Sequence, residues 1–181
     1  MTLQRQPDSS VRIARLDDWH LEALRRIPAL ADPGDDERAL RRVYPAPFVA
    51  GEGTQEQQED WAEYVQPEME TLFESSIERV ASDLKTAHLS EPAAPAVKDG
   101  KEPAEDPQPE WTINVPAAHV EDWFRAMNQA RLVLSSSREA HRQDQEYVTT
   151  MLLKGEVDLL IQYEMLTALC GWWVDIMLRG K

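Results

Sequence analysis

The stretch 157-VDLLIQYEMLTALCGWWVDIML-178 is apolar on nearly every side of a helix. A helix of this composition is either the core of a soluble domain or a membrane span. Its length is enough to cross a bilayer. However, Glu164 and Asp175 lie inside it, and an acidic residue near the bilayer centre costs about 2.5–3.5 kcal/mol. We therefore interpret the stretch as the buried central helix of a soluble, mostly helical domain.

Two shorter stretches have the alternation of apolar and polar side chains that is typical of strands. They are VRIARL at residues 11–16 and WTINV at residues 111–115. Because an isolated strand leaves its backbone groups unpaired, we predict that the two strands pair with each other in a small two-stranded β ribbon.

Most of the remaining sequence has apolar residues at helical spacing. Helices are predicted near residues 18–27, 36–43, 61–84, 116–134 and 143–153, and Pro67 should kink the third of them or divide it in two. The predicted fold class is mainly α, a helical bundle-like single domain over residues 1–181. Residues 91–110 are rich in proline and acidic side chains, which predicts a flexible insertion into this domain.

The net charge of −14 is concentrated in one part of the chain. Residues 45–110 hold 16 acidic and 4 basic side chains, whereas the flanking parts are close to balanced. An acidic protein has no long-range attraction for phosphate backbones, so nucleic acid is disfavoured as the main partner. The first ten residues lack the apolar core of a signal peptide, and the lone Cys170 suits a reducing compartment. We therefore expect a cytoplasmic protein without a membrane span.

One basic residue lies where an apolar one is expected. The helix near residues 116–134 has its apolar stripe interrupted by Arg131, with Asn128 one turn before it. In the last helix, Glu164 and Asp175 lie at the two ends of one face, and the residues between them on that face have small side chains. Because a buried guanidinium needs a partner, we predict that the two helices pack around an Arg131–Glu164 or an Arg131–Asp175 pair.

This predicted polar network has two interpretations. It is a structural lock that fixes how the two helices align. Alternatively, Arg131 and Asn128 line a pocket for a small anion or for the carboxylate of a partner. Structural networks commonly imitate binding sites, which favours the lock.

Trp172 and Trp173 are adjacent, so their side chains point about 100° apart on a helix. Either the domain itself covers both, or one of them lies in a dimer interface, where tryptophan is a favoured anchor. Buried core is the default interpretation, and a dimer is the alternative.

The remaining candidates for chemistry are weak. The histidines are scattered and no glycine-rich phosphate loop is present, so we predict no metal and no cofactor. One basic cluster is a candidate for DNA contact, although acidic residues interrupt it and favour a solvated, salt-bridged face. Its members are Arg25, Arg26, Arg38, Arg41 and Arg42.

Several segments together resemble an uncharacterised bacterial helical family, the domain of unknown function twenty-seventeen. They are the strand-then-helix of residues 11–30, ERALRRVYP at 37–45, WFRAMNQARLVL at 123–134 and YEMLTAL at 163–169. Asn128, Arg131 and Leu132 fall where the family typically has an asparagine followed three residues later by arginine and leucine.

The chain departs from this family at Met165, where a tryptophan is common, and at residues 170–171, where a polar pair is common. The resemblance implies a cytoplasmic bacterial protein without an established activity.

From these observations we expect a non-enzymatic protein that acts through protein–protein contacts, with a homodimer as one form. Two alternatives stay open. The first is a small-anion or small-molecule binder, or an enzyme, with its pocket at Arg131. The second is a regulator that contacts DNA through the arginine cluster.

Overall fold

The computed structural model describes residues 1–45, 47, 54–90, 109–139 and 157–178. The strands are β1 (Thr2–Arg5), β2 (Val11–Leu16), β3 (His88–Ser90) and β4 (Glu110–Val115). The helices are α1 (Asp18–Arg25), α2 (Ile27–Ala31), α3 (Glu37–Val43), α4 (Gln55–Asp60), α5 (Gln66–Leu84), α6 (Val120–Glu139) and α7 (Val157–Leu178). The predicted helix at 143–153 and nearly all of the predicted insertion at 91–110 lie outside the described residues.

The protein is mostly helical, as predicted, but the two-stranded ribbon was too small a prediction. β2 and β4 do pair antiparallel, with Ile13 opposite Ile113. They are the middle of a four-stranded antiparallel sheet in the order β1-β2-β4-β3. The two edge strands were missed because they are only four and three residues long and lack a clear apolar alternation.

A β-bulge adjusts the face of β2. The pairing register shifts between Ile13 and Leu16, and Arg15 has a positive φ of 58°. The additional residue turns Leu16 to the same side as Val11 and Ile13, and all three side chains are buried. The bulge therefore explains why the strict alternation of the sequence stops after Ile13.

The long helical pattern of residues 55–84 is divided near Pro67, as predicted. A π-helical turn, Trp61–Val65, separates α4 from α5, and the Gln66 N–H donates to the carbonyl of Trp61. Proline has no N–H and cannot continue the ordinary hydrogen-bond ladder. Such a wider turn is a common result of a local break in that ladder.

The central helix is α6, and the prediction that α7 is central was wrong. α6 packs against α2, α3, α5 and α7. α7 buries only one side, which carries Gln162, Leu166, Leu169, Cys170 and Trp173. Its opposite side is exposed, so its uniform apolar composition does not correspond to uniform burial. No described helix is long and apolar enough to cross a membrane.

Two stacked tryptophans join α6 to α7. The rings of Trp123 and Trp173 have centroids 5.7 Å apart and planes 15° apart, and both side chains are fully buried. The Trp173 indole donates to the backbone oxygen of Val120 over 2.8 Å. Buried Gln162 connects α7 to α1 instead, because its amide donates to the backbone oxygen of Ala23 over 2.7 Å.

We expect Trp173→Ala to lower the free energy of unfolding by about 3–5 kcal/mol, because it leaves a large cavity in the core. Trp19→Ala is the matched control, since Trp19 is 48% exposed, and it should cost about 1 kcal/mol or less. Urea denaturation followed by circular dichroism measures both. Equal effects of the two substitutions would contradict the described packing of α7.

Candidate functional site

Arg131 and Asn128 meet on α6, one turn apart. The Arg131 guanidinium donates to the Asn128 side-chain oxygen over 2.7 Å, and both residues are half-buried. Arg131 also lies near α7, where its positive charge acts on the thiol of Cys170. Burial raises the pKa of the Cys170 thiol, and the charge of Arg131 offsets part of that effect. The guanidinium therefore lies near α7, and the Cys170 thiol is the α7 group described beside it.

The two acidic residues of the predicted network are not buried. Glu164 and Asp175 are both exposed, and so are Ala168 and Gly171 between them. The prediction that the domain itself covers this face was therefore wrong. An ion pair of Arg131 with either acid stays a prediction.

The exposed side of α7 is also strongly apolar. We call it the α7 outer face, and it consists of Ile161, Glu164, Ala168, Gly171, Trp172, Asp175 and Leu178. Trp172 is 48% exposed, Ile161 42% and Leu178 64%. The adjacent tryptophans thus point in different directions, as expected, with Trp173 in the core and Trp172 outside.

A groove of about 330 Å³ separates the end of this face from the edge strand β1. Met1, Thr2 and Leu3 line it on the strand side, and Trp172, Asp175 and Ile176 line it on the helix side. Arg5 ties the two sides together, because its guanidinium donates to the backbone oxygen of Ile176 over 3.0 Å. Half-exposed Trp172 is therefore shared by the groove and the α7 outer face.

Sequence reasoning missed a buried carboxylate between α5 and α6. Asp122 is 1% exposed and accepts hydrogen bonds from Ser76 over 2.9 Å, Arg79 over 2.7 Å and Arg125 over 3.0 Å. Burial alone would raise the pKa of Asp122. The hydrogen bonds from Arg79 and Ser76 and the charges of Arg79 and Arg125 outweigh burial, so its pKa lies below the ordinary value.

A second carboxylate, Asp83 of α5, lies on the buried side of that helix, which also carries Ser76. It accepts from the indole of Trp123 over 2.9 Å and contacts the His119 Nδ1 at 3.0 Å. Ser76, Val80 and Asp83 follow helical spacing on one buried side of α5, which was an available signal. An Asp–His pair is part of many catalytic sites, but the described residues place no hydroxyl or thiol in hydrogen-bonding contact with His119.

The other predicted candidates are dispersed. His20 pairs with Asp17 at 2.8 Å, far in sequence from the His119–Asp83 pair. Within the described ranges, no group of three His, Cys, Asp or Glu side chains is placed to hold a metal ion. In the arginine cluster, Arg41 pairs with Glu37 at 3.0 Å, and the Arg25 guanidinium lies 6.0 Å from the centroid of the Trp111 ring.

The fold defines a class: a mostly helical protein with a four-stranded antiparallel sheet. The family model of DUF2017, a domain of unknown function, matches residues 3–178. The chain belongs to this family, which confirms the resemblance seen in its segments. No curated protein and no solved structure matches the chain. Its function is therefore unknown.

We expect Asp122→Asn to lower the free energy of unfolding by about 1–3 kcal/mol at pH 7, because it removes a buried carboxylate from two arginines that are themselves partly exposed. The folded-state pKa of Asp122 is lowered, so its contribution is complete above the unfolded pKa of about 3.9. It is lost as the pH falls through the lower, folded pKa.

The measurement is the urea midpoint of the wild type and the variant between neutral and acidic pH. Glu121→Gln is the matched control, since Glu121 is exposed and pairs with the same Arg125 at 2.9 Å. It should change stability by about 1 kcal/mol or less at any pH. If the difference between Asp122→Asn and the wild type did not shrink with falling pH, the carboxylate would not carry the proposed charge.

Proposed function

We propose that this protein is a non-enzymatic bacterial cytoplasmic protein that acts through protein–protein contacts, and that it forms a homodimer through the α7 outer face. The observation that carries the proposal is the 48% exposure of Trp172 on a helix face that also exposes Ile161 and Leu178. Contiguous exposed apolar surface of this kind is typical of interaction sites, and tryptophan is an efficient interface anchor.

The glycine in the middle of this face supports an external contact. Gly171 lies inside a 22-residue helix, where glycine costs about 1 kcal/mol relative to alanine. None of the described atoms lies within 4 Å of the place where its Cβ would be. The described fold therefore gains nothing from the missing side chain, whereas a second helix that approached closely would.

The order of residues on the face favours a second copy as the occupant. Ile161 precedes Ala168 by seven residues, and Leu178 follows Gly171 by seven. Glu164 and Asp175 are each four residues from the same central pair. The face therefore has nearly the same order in both directions, which suits an antiparallel, twofold contact between identical helices.

The same symmetry brings a cost. In the antiparallel contact Ile161 faces Leu178 of the partner subunit, and Glu164 faces Asp175 of the partner subunit. Like charges opposite each other weaken an interface, and dissolved salt screens them. The self-association should therefore become stronger at higher ionic strength.

The other two hypotheses have less support. The Arg131 guanidinium already has the Asn128 side chain as a partner, and the groove at α7 lies against β1 instead. In the arginine cluster, Arg41 is paired within its own helix, which suits a solvated face better than a DNA contact.

Light scattering after size-exclusion chromatography tests the proposal with Gly171→Leu. We expect the wild type to shift from monomer to dimer with rising concentration and salt. The variant should stay monomeric, because leucine blocks the close approach. Its monomer should be as stable as the wild type or up to about 1 kcal/mol more stable, because leucine is the better helix former.

Arg38→Leu places the same side chain on an exposed position of α3 and should leave the dimer intact. A wild type that is monomeric at every concentration and salt would refute the homodimer. A Gly171→Leu variant that still dimerises would move the interface away from the α7 outer face.

A further inference from the structure

A second surface, far along the chain from α7, is formed by α4, the π-turn and the first turns of α5. We call residues 54–72 the acidic arm. In the described part of the chain, the substantial contacts of α4 and the π-turn are with their own continuous helix. In contrast, the later part of α5 is buried against the core, where Val80 and Leu84 lie.

The arm is amphipathic although it is not packed. Tyr64 is 61% exposed, Val65 38% and Leu72 43%, and they follow helical spacing. Apolar residues in such a pattern are normally the packed side of a helix. Here they form an apolar helical surface that the described residues leave largely uncovered.

The π-turn lies within this surface and shapes a pocket of about 410 Å³ beside it. Trp61, Tyr64 and Val65 come from the turn, and Asp60 comes from the helix just before it. Pro47 and Gln57 complete the lining. The pocket therefore combines two aromatic rings with one carboxylate, at a type of turn that occurs often at functional sites.

This combination matches one class of side chain. Aromatic faces attract a cation and cover the alkyl stem that carries it, while a carboxylate such as Asp60 pairs with the charged end. Arginine and lysine have both parts. An anionic side chain would be repelled by the carboxylate of Asp60. A purely apolar side chain would offer that carboxylate no ionic partner.

The charge of the arm and of the next turns of α5 restricts the class of partner. Residues 54–78 contain eight carboxylates and no lysine, arginine or histidine. A second copy of the arm would bring two such surfaces together and is disfavoured by repulsion. Nucleic acid is disfavoured for the same reason. A basic segment of another protein, with apolar residues among its charges, is complementary to both the charge and the exposed apolar side chains.

We propose that the acidic arm binds a basic, amphipathic segment of a partner protein, and that an arginine or lysine side chain of this segment enters the pocket formed by Asp60, Trp61 and Tyr64. This surface shares no residue with the α7 outer face, so the inference goes beyond the proposed homodimer and stands separately from it.

Fluorescence anisotropy tests the proposal with the full chain and a labelled helical peptide of alternating leucine and arginine pairs. A peptide with citrulline in place of arginine keeps the shape and removes the charge. We expect binding of the arginine peptide, at least tenfold weaker binding of the citrulline peptide, and a steady loss of affinity with added salt.

Variants separate the pocket from general acidity. Trp61→Ala combined with Tyr64→Ala leaves the net charge unchanged and should weaken binding by about tenfold or more. Trp19→Ala removes an exposed tryptophan outside the arm and should leave the affinity for the peptide unchanged. Asp60→Asn should weaken binding by about threefold, more than Asp35→Asn, which removes the same charge elsewhere. Circular dichroism and melting temperatures confirm that each variant folds.

Several results would overturn the inference. They are the absence of binding by the arginine peptide, equal binding by the citrulline peptide, and unchanged affinity of the Trp61 and Tyr64 double variant. The response of Gly171→Leu keeps the two proposals apart, because a monomeric variant should bind the peptide as the wild type does. Loss of the dimer without loss of peptide binding would support both surfaces as separate.

Discussion

The position of Trp123 holds the helical layer together. Its ring stacks on Trp173 of α7, and its indole donates to Asp83 of α5 over 2.9 Å. One side chain of α6 therefore fixes the two neighbouring helices by different interactions, one apolar and one polar. Because the donor is buried, it needs an acceptor, and Asp83 supplies one inside the α5–α6 contact. The neighbouring Asp122 network extends the same contact.

This arrangement decides which surfaces are left for other molecules. Trp173 turns one side of α7 into the core, so the adjacent Trp172 must point away from it. The later part of α5 is held by Asp83 and Ser76, whereas α4 and the π-turn make no comparable contact with the core residues that the structure describes. Two helices are therefore each packed at one place and exposed at another. The exposed parts carry aromatic side chains, and for this reason we propose both as interaction surfaces.

Much of the fold was predictable because local patterns determine it. The pairing of β2 with β4 followed from two alternating stretches, and the divided helix followed from Pro67. The sheet edges were not predictable, since β1 and β3 are short and gain their structure from neighbours. Burial of α7 was predicted wrongly because an apolar composition shows that a side can be buried, not that a neighbour covers it. Arg131 was predictable as a candidate site residue because it is a charge on an apolar stripe. The burial of Asp83 and Asp122 was not predictable, because acids near helix ends usually lie in water.

The uneven charge of the chain gives the two proposed surfaces opposite behaviour. The α7 outer face has small, apolar side chains at its centre. Its acids would face acids in a symmetric contact, so added salt should strengthen the self-association. The acidic arm has eight carboxylates on and just beyond it, and its partner would be basic, so salt should weaken it. The two proposed contacts use separate surfaces of a protein with −14 net charge, so they should not compete with each other. Most of the excess negative charge lies in residues 45–110, which include the acidic arm.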